Sequence, residues 1–392
     1  MGLRLLLVGL LLNFPMLSAR SVSEYKGNSI ASPSKECALT KFFQHEGKLA
    51  SKAVFLFSGN PVCTYIPREF DEEKIANGEP LKLVFFVPHA ILKKESKPSI
   101  ARLNNETCTQ DYCIKVNHVT APVKGIQFTV SYYPQFHGFE YQSFKSITGE
   151  EGVVFNFYNQ NLLQQVNVKA STERIRRTAF ADTVPTVILD FGHGGDDHGF
   201  TNGVLLEKEM NRQIGQRVAK LLKKKGYQVC LVREGDESLA LDERTARIHA
   251  CKDAGILISI HTNAAARAEA SGIETFCHTS DMFTTHYQQA DKNMIGTLQE
   301  IDSVVFDQSM QLAQAVHKNV LESAKIKNSS VVDRKVKHKV TQLLLASEMP
   351  SILVELGFLT NKQEAELLQK SSYQKDLAQG ICKGIDAFFN MV

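Results

Sequence analysis

The chain has 392 residues, enough for two or more domains and a sizeable core. Its 43% apolar and 22% charged residues give the make-up of a globular protein and exclude a disordered one. A net charge of +3, with no basic tail and no long lysine–arginine block, offers no electrostatic footprint for nucleic acid.

Residues 1–19 have the parts of a signal peptide. Arg4 supplies the positive start, Leu5 to Leu12 the apolar run, and Met16-Leu17-Ser18-Ala19 small residues for cleavage. The run is short for a bilayer span, so an export signal is expected, with a retained membrane anchor as the alternative. No later stretch is apolar enough to span a bilayer. Export predicts a periplasmic or secreted protein and permits disulfides among the eight cysteines. Cys108 and Cys113 are close enough for a local staple. Cys230, Cys251 and Cys277 sit in or beside apolar runs, where buried free thiols are the alternative.

Residues 20–47 read as a polar arm. Residues 48–165 then read as a small β-rich domain, with strands predicted at Ala53 to Phe57, Leu81 to Val87, Gly125 to Tyr133 and Val153 to Tyr158. Its aromatic residues Phe128, Tyr132, Tyr133, Phe136, Phe139 and Tyr141 suit either a core or a sugar-stacking platform. Residues 166–184, with Arg174, Arg176 and Arg177, read as a linker, and Pro185 opens a second domain over 185–392.

From Thr186 strands and helices alternate. Thr186 to Asp190 is a buried strand opening into the turn Gly192-His193-Gly194-Gly195. A helix follows from about Leu206 to Lys225, with Met210, Ile214, Val218 and Leu222 on one face and Gly226 as its stop. Tyr227 to Val232 is a strand and Leu241 to Ala254 a helix. Ile256 to Ile260 is a buried strand ending in His261-Thr262-Asn263, and Gly272 to Cys277 is another. After a long polar stretch comes a helix from about Gln308 to Ala324. Ile352 to Glu355 is a strand, and a last helix repeats Tyr373, Leu377, Ile381, Ile385 and Phe389. The alternation predicts an α/β fold: a three-layer domain with a largely parallel sheet over about 186–390, preceded by the β-rich domain.

His193, His261 and Glu355 fall at the carboxyl ends of predicted buried strands, where open α/β sheets collect ligands. Glu207 stands at the start of the first long helix. Each has a structural alternative: a turn contact, a carbonyl partner, or a favourable charge at a helix dipole. Together they supply two imidazoles and a carboxylate for a three-ligand zinc site with an open position, plus a second carboxylate to move a proton. HExxH is absent, and no tidy Ser-His-Asp set competes. His198 and Glu209 are competing ligands. Of Asp190, Asp196 and Asp197, one is expected to hydrogen-bond His193.

Residues 186 to about 390 resemble the zinc-dependent N-acetylmuramoyl-L-alanine amidases of the amidase type 3 family. The resemblance rests on Asp190-Phe191-Gly192-His193-Gly194-Gly195, Glu207-Lys208, Ser259-Ile260-His261-Thr262-Asn263, Gly272-Ile273-Glu274-Thr275 and the run from Met349-Pro350-Ser351 to Asn361. It implies Zn2+ on His193, Glu207 and His261, with Glu355 as the catalytic glutamate. The implied reaction is hydrolysis of the amide joining N-acetylmuramic acid to L-alanine of peptidoglycan. Phe191 stands where proline is usual, and Lys335 follows Arg334 where glycine is usual, which puts the local turn and a substrate contact there in question. The β-rich domain weakly resembles the AMIN module. Related amidases carry an insertion that covers the metal until an activator displaces it. Asp281 to Asp307 is expected to be such a lid, with Glu300 reaching the metal, or else a plain surface excursion. The competing functions are a non-catalytic peptidoglycan-binding or activator protein on the same fold, and a zinc carboxypeptidase.

Overall fold

The computed structural model describes residues 37–46, 50–59, 61, 63–66, 80–92, 106–109, 112–120, 124–132, 137–145, 151–159, 185–251, 254–289, 292–339 and 341–391. The signal segment and the linker 166–184 lie outside the described residues.

The N-terminal part is a two-sheet β sandwich. Its strands are β1 (Cys37–Glu46), β2 (Ala50–Phe57), β3 (Thr64–Ile66), β4 (Leu81–Pro88), β5 (Ala90–Leu92), β6 (Thr107–Cys108), β7 (Tyr112–Val119), β8 (Gly125–Tyr132), β9 (His137–Lys145) and β10 (Glu151–Asn159). One sheet runs β9-β10-β2-β1-β5, the other β3-β4-β8-β7-β6. Alternate residues turn inward, so Phe55 and Phe155 meet Phe85 and Phe128 between the sheets. Phe55 and Phe128 lie 4.4 Å apart between ring centroids, and Tyr112 stacks on Phe157 at 4.0 Å. Phe128, Tyr132, Phe139 and Tyr141 are therefore core, not a sugar platform. Tyr133 and Phe136 lie outside the described residues. The expected polar arm ends earlier than the sequence suggested: Cys37–Glu46 is a strand paired with β2. A bulge near Thr40 breaks its alternation, which hid it. Cys108 and Cys113 form the expected disulfide.

The second part is the three-layer α/β domain. Its elements are β11 (Thr186–Phe191), α1 (Glu207–Lys224), β12 (Gln228–Leu231), α2 (Leu241–Ala250), β13 (Ala254–Asn263), β14 (Ile273–Cys277), β15 (Phe283–Gln289), α3 (Lys292–Lys325), β16 (Asp333–His338), α4 (Gln342–Leu345), β17 (Ser351–Phe358), α5 (Lys362–Leu368) and α6 (Ser371–Met391). The sheet order is β12-β11-β13-β17-β14-β16, parallel except between β14 and β17. Met210, Ile214 and Val218 of α1, Val316 of α3 and Leu377 of α6 cover one face with Val187 and Leu189. Ile248 of α2 and Leu343 of α4 cover the other with Ile188 and Leu257. Cys230 and Cys251 are joined, tying β12 to the end of α2, while Cys277 is a buried free thiol. No helix among the described residues is long and apolar enough to cross a membrane.

The stretch expected as a lid or surface excursion is regular structure. Phe283–Gln289 adds itself as β15 to the open edge of β9, pairing Phe283 with Phe144 and Gln289 with Phe139. An edge strand carries unpaired N–H and C=O groups, and β15 satisfies them. The following helix starts at Lys292, well before Gln308. The side chain of Glu300 lies outside the described residues. The two parts also share a small core, in which Phe43, Val54, Phe144 and Val154 meet Met282 and Leu345. Lys52 Nζ donates to Leu345 O at 3.1 Å.

At the far edge, β16 carries a bulge. Ile273 pairs with Asp333 but Thr275 pairs with Val336, so one strand holds an extra residue. Lys335 takes it up with φ 73°, the left-handed backbone usual for glycine. The turn therefore keeps its shape despite the substitution, and Asp333 receives Lys335 N at 2.9 Å and Lys335 Nζ at 2.6 Å. A left-handed L-residue costs about 1–2 kcal/mol, while glycine's extra freedom in the unfolded chain returns roughly 0.5–1 kcal/mol. The exposed Lys335–Asp333 pair adds little. Lys335→Gly is expected to be neutral to about 1 kcal/mol more stable, and Lys335→Val at least about 1 kcal/mol less stable. Denaturant midpoints check both; a valine variant as stable as the parent would mean the bulge relaxes.

Candidate metal centre

The glycine-rich turn after β11 is held by buried arginines. Arg233, fully buried, donates from Nε to Phe191 O at 2.7 Å and from Nη2 to Gly192 O at 3.2 Å and Lys208 O at 2.9 Å. Arg244 of α2 donates from Nη1 to Asp190 Oδ1 at 2.6 Å and to Phe191 O at 3.0 Å, and from Nη2 to His193 O. Ser259 Oγ donates to the other Asp190 oxygen at 2.8 Å. The turn needs this support because His193 has φ 62°, a conformation a β-carbon resists. The helix α1 has no side-chain cap at Leu206. Its freed N–H groups bond the turn instead: Glu207 N to Phe200 O at 2.9 Å and Lys208 N to His198 O at 3.2 Å.

These restraints bring three ligand atoms together. One donor atom each of His193, Glu207 and His261 lies within 4.8 Å of the others. Glu207 Oε1 is 3.1 Å from His193 Nε2 and 3.0 Å from His261 Nδ1. Asp197 Oδ2 sits 2.8 Å from His193 Nδ1, which leaves Nε2 facing the cluster. Glu207 Oε2 accepts from Phe200 N at 2.9 Å, and Asn211 Nδ2 bonds both Gly192 O at 3.2 Å and Glu207 Oε1 at 3.4 Å. Only a residue without a side chain fits at Gly192, where a β-carbon would fall 2.2 Å from the His261 ring. Burial works against the charged form of His193, but the hydrogen bonds and charge of Glu207, then of Asp197, raise its pKa to about 9. Burial also works against the Glu207 carboxylate, yet the two imidazoles hold it well below the usual carboxylate range. The set of two imidazoles and one carboxylate, already converged, fits zinc.

Glu355 stands across the ladder. β13 and β17 run parallel with His261 opposite Glu355. Glu355 Oε2 is buried and has no hydrogen-bond partner among the described residues. Burial pushes its carboxyl up to about 7, the nearby His261 pulling the other way. On the next strand Glu274 pairs with Glu355 in antiparallel register. Glu274 is fully engaged: Asn263 Nδ2 donates at 2.6 Å, Arg334 Nε at 2.8 Å and Lys337 Nζ at 2.5 Å. Burial opposes its charge, but Lys337 and Arg334 keep it below its ordinary range.

The structure thus gathers His193, Glu207 and His261, with Glu355 facing them on the neighbouring strand. It does not bring the two competitors into that cluster. His198 is exposed, and Glu209 binds Arg212 and Gln213. Of the three aspartates, Asp197 takes the His193 contact, Asp190 takes Arg244, and Asp196 is exposed. Sequence reasoning missed Arg233, Arg244 and Asn211, which hold backbone and ligands, and gave Glu274 and Lys337 no task. A buried arginine directly after a predicted strand was the available signal for Arg233.

The chain is similar to the uncharacterized Bacillus subtilis protein YqiI, 32% identical over 205 residues, covering 52% of this chain and 85% of that one. It is 31% identical over 204 residues to the Bacillus subtilis N-acetylmuramoyl-L-alanine amidase LytC, covering 52% of this chain but only 35% of LytC. Among solved structures, an N-acetylmuramoyl-L-alanine amidase from Clostridium difficile 630 is 31% identical, covering 53% of this chain and 97% of that one with a TM-score of 0.43. Residues 187–387, just over half of the sequence, match the family model described as N-acetylmuramoyl-L-alanine amidase, and the chain belongs to that family.

Proposed function

We propose that the chain is an exported cell-wall hydrolase that cleaves the amide between N-acetylmuramic acid and L-alanine of peptidoglycan, with zinc on His193, Glu207 and His261. One observation carries this reading: a converged His-Glu-His cluster with a partnerless, buried carboxyl oxygen of Glu355 on the adjoining strand. Zinc, when bound, supplies Lewis-acid polarisation of the scissile carbonyl and makes a nearby water more acidic. Glu355 takes a proton from the attacking water, then delivers it to the alanine nitrogen as the C–N bond breaks. Asp197 keeps His193 in the tautomer that offers Nε2, and Asn211 and Phe200 N fix the two Glu207 oxygens.

Export rests on residues 1–19, and an AMIN-like role of the sandwich would be to tether the enzyme to the wall. An activator that acted on residues 281–307 would have to work against the β15–β9 ladder, not lift a loose loop.

Digestion of purified muropeptides with added zinc tests the reaction. A newly freed amine on L-alanine is expected. Released D-alanine alone would instead mark a carboxypeptidase, and tight binding without products a binding protein. Glu355→Gln is expected to lose about 10²–10⁴-fold in turnover while keeping its zinc content. A near-parental rate would remove Glu355 from the proton path.

The metal-free protein carries a proton on His193 below about pH 9. Zinc must displace it, so zinc affinity is expected to rise from pH 7 to pH 9 and fall as pH drops. Calorimetry at pH 7 in buffers of different ionisation enthalpy should detect release of about one proton per zinc from this group. Absence of proton release would show a neutral His193 in the free protein.

A further inference from the structure

A second group of cations lies beyond Glu355 from the metal ligands, and the reaction above gives it no task. The bulge at Lys335 turns Arg334 of β16 back towards Glu274. Only Nε of Arg334 is used there. Its guanidinium lies 4.8 Å above the Phe358 ring, and its terminal nitrogens have no bond among the described residues. Lys337 also binds Glu274, so Arg334 is not the only cation answering that carboxylate. Arg267, on the loop after β13, is exposed and makes no ion pair among the described residues. Arg267, Arg334 and one carboxylate, Glu269, line a groove of about 530 Å³ together with the small residues Ala265, Ala266 and Ala270.

We propose that this groove binds a carboxylate of the peptide, two or three residues beyond the cleaved amide, between Arg334 and Arg267. The inference rests on the amidase reading and names its specificity. The charge argues for the peptide side: the lactyl carboxyl of the sugar is consumed in the amide, so the free acids belong to the peptide. The distance argues for the position. Two strand spacings separate β17 from β16, roughly 10 Å, which about three extended residues would span. Arginine suits the task because its planar fork grips a carboxylate with two parallel bonds.

The test uses N-acetylmuramoyl-L-alanyl peptides of two to four residues, each as free acid and as carboxamide, with the zinc-loaded full chain. The acid is expected to be preferred about tenfold, a difference of about 1.4 kcal/mol, and the preference should reside in KM. Arg267→Ala and Arg334→Gln should each shrink it to within about twofold. Arg267 lies on an exposed loop, so its variant does not depend on the β16 packing. A parent enzyme indifferent to acid and amide at every length would overturn the inference, as would a preference that survives both variants. Binding of labelled acid and amide peptides, followed without turnover, separates the two ideas. Acid-selective binding lost in both variants, without hydrolysis, would sink the amidase reading and keep the groove assignment. Hydrolysis without acid preference would do the reverse, and neither hydrolysis nor acid-selective binding would sink both.

Discussion

The parallel ladder between β13 and β17 sets the distance on which the chemistry depends. Leu257 to Ile260 and Ser351 to Val354 are packed from both faces, and their pairing places His261 opposite Glu355. A slip of one residue would turn every inward side chain to the other face, so burial fixes the register strongly. Two polar residues at the ends of apolar strands are thereby held on neighbouring strands without any direct bond between them. Glu355 sits there at a cost, since a buried carboxyl without a partner is unfavourable. The strand beneath it bears that cost through its apolar neighbours.

The turn that brings in His193 depends on a different interaction. Its backbone is strained at His193, and its carbonyls are bonded by Arg233 and Arg244. A buried pair such as Asp190–Arg244 is a poor source of net stability, because both charges lose water. What it supplies is position. Truncating Arg244 would take the paired cation from Asp190 and free the carbonyl of His193, leaving Phe191 O to Arg233 alone. The imidazole is thus oriented before any ligand arrives, which suits a site that must not reorganise during reaction.

The C-terminal half was largely legible from sequence because its signals are local. Apolar strands ending in His193, His261 and Glu355, and a helix of clear period beginning at Glu207, needed no knowledge of distant partners. What was missed depends on distant partners. β15 is polar and becomes a strand because the edge of β9 is open to it. The early turns of α3 lie in the stretch read as polar and irregular, yet the helix starts at Lys292 and runs through Gly296. For Cys230 and Cys251 the sequence left disulfide and buried free thiol both open, and the packing of α2 beside β12 joins them. Arg334 was marked by the altered glycine position beside it, but its place in one groove with Arg267 comes from the fold.

The link through β15 changes how the sandwich relates to the site. Its outer face packs Phe43, Val54 and Val154 on Leu345 of α4, and α4 in turn contacts β17, the strand that bears Glu355. Lys52 binds the last carbonyl of that short helix. The sandwich is therefore continuous with the layer beneath Glu355 rather than strung from it. Removing it would bare the edge of β15, expose Met282 and Leu345, and loosen the helix against which β17 rests. A module whose sheet is completed by a strand of the following domain acts as part of that domain's frame, and it touches both sides of the site: β17 through α4, and the His193 turn through the contact of β1 with α2, the helix that bears Arg244.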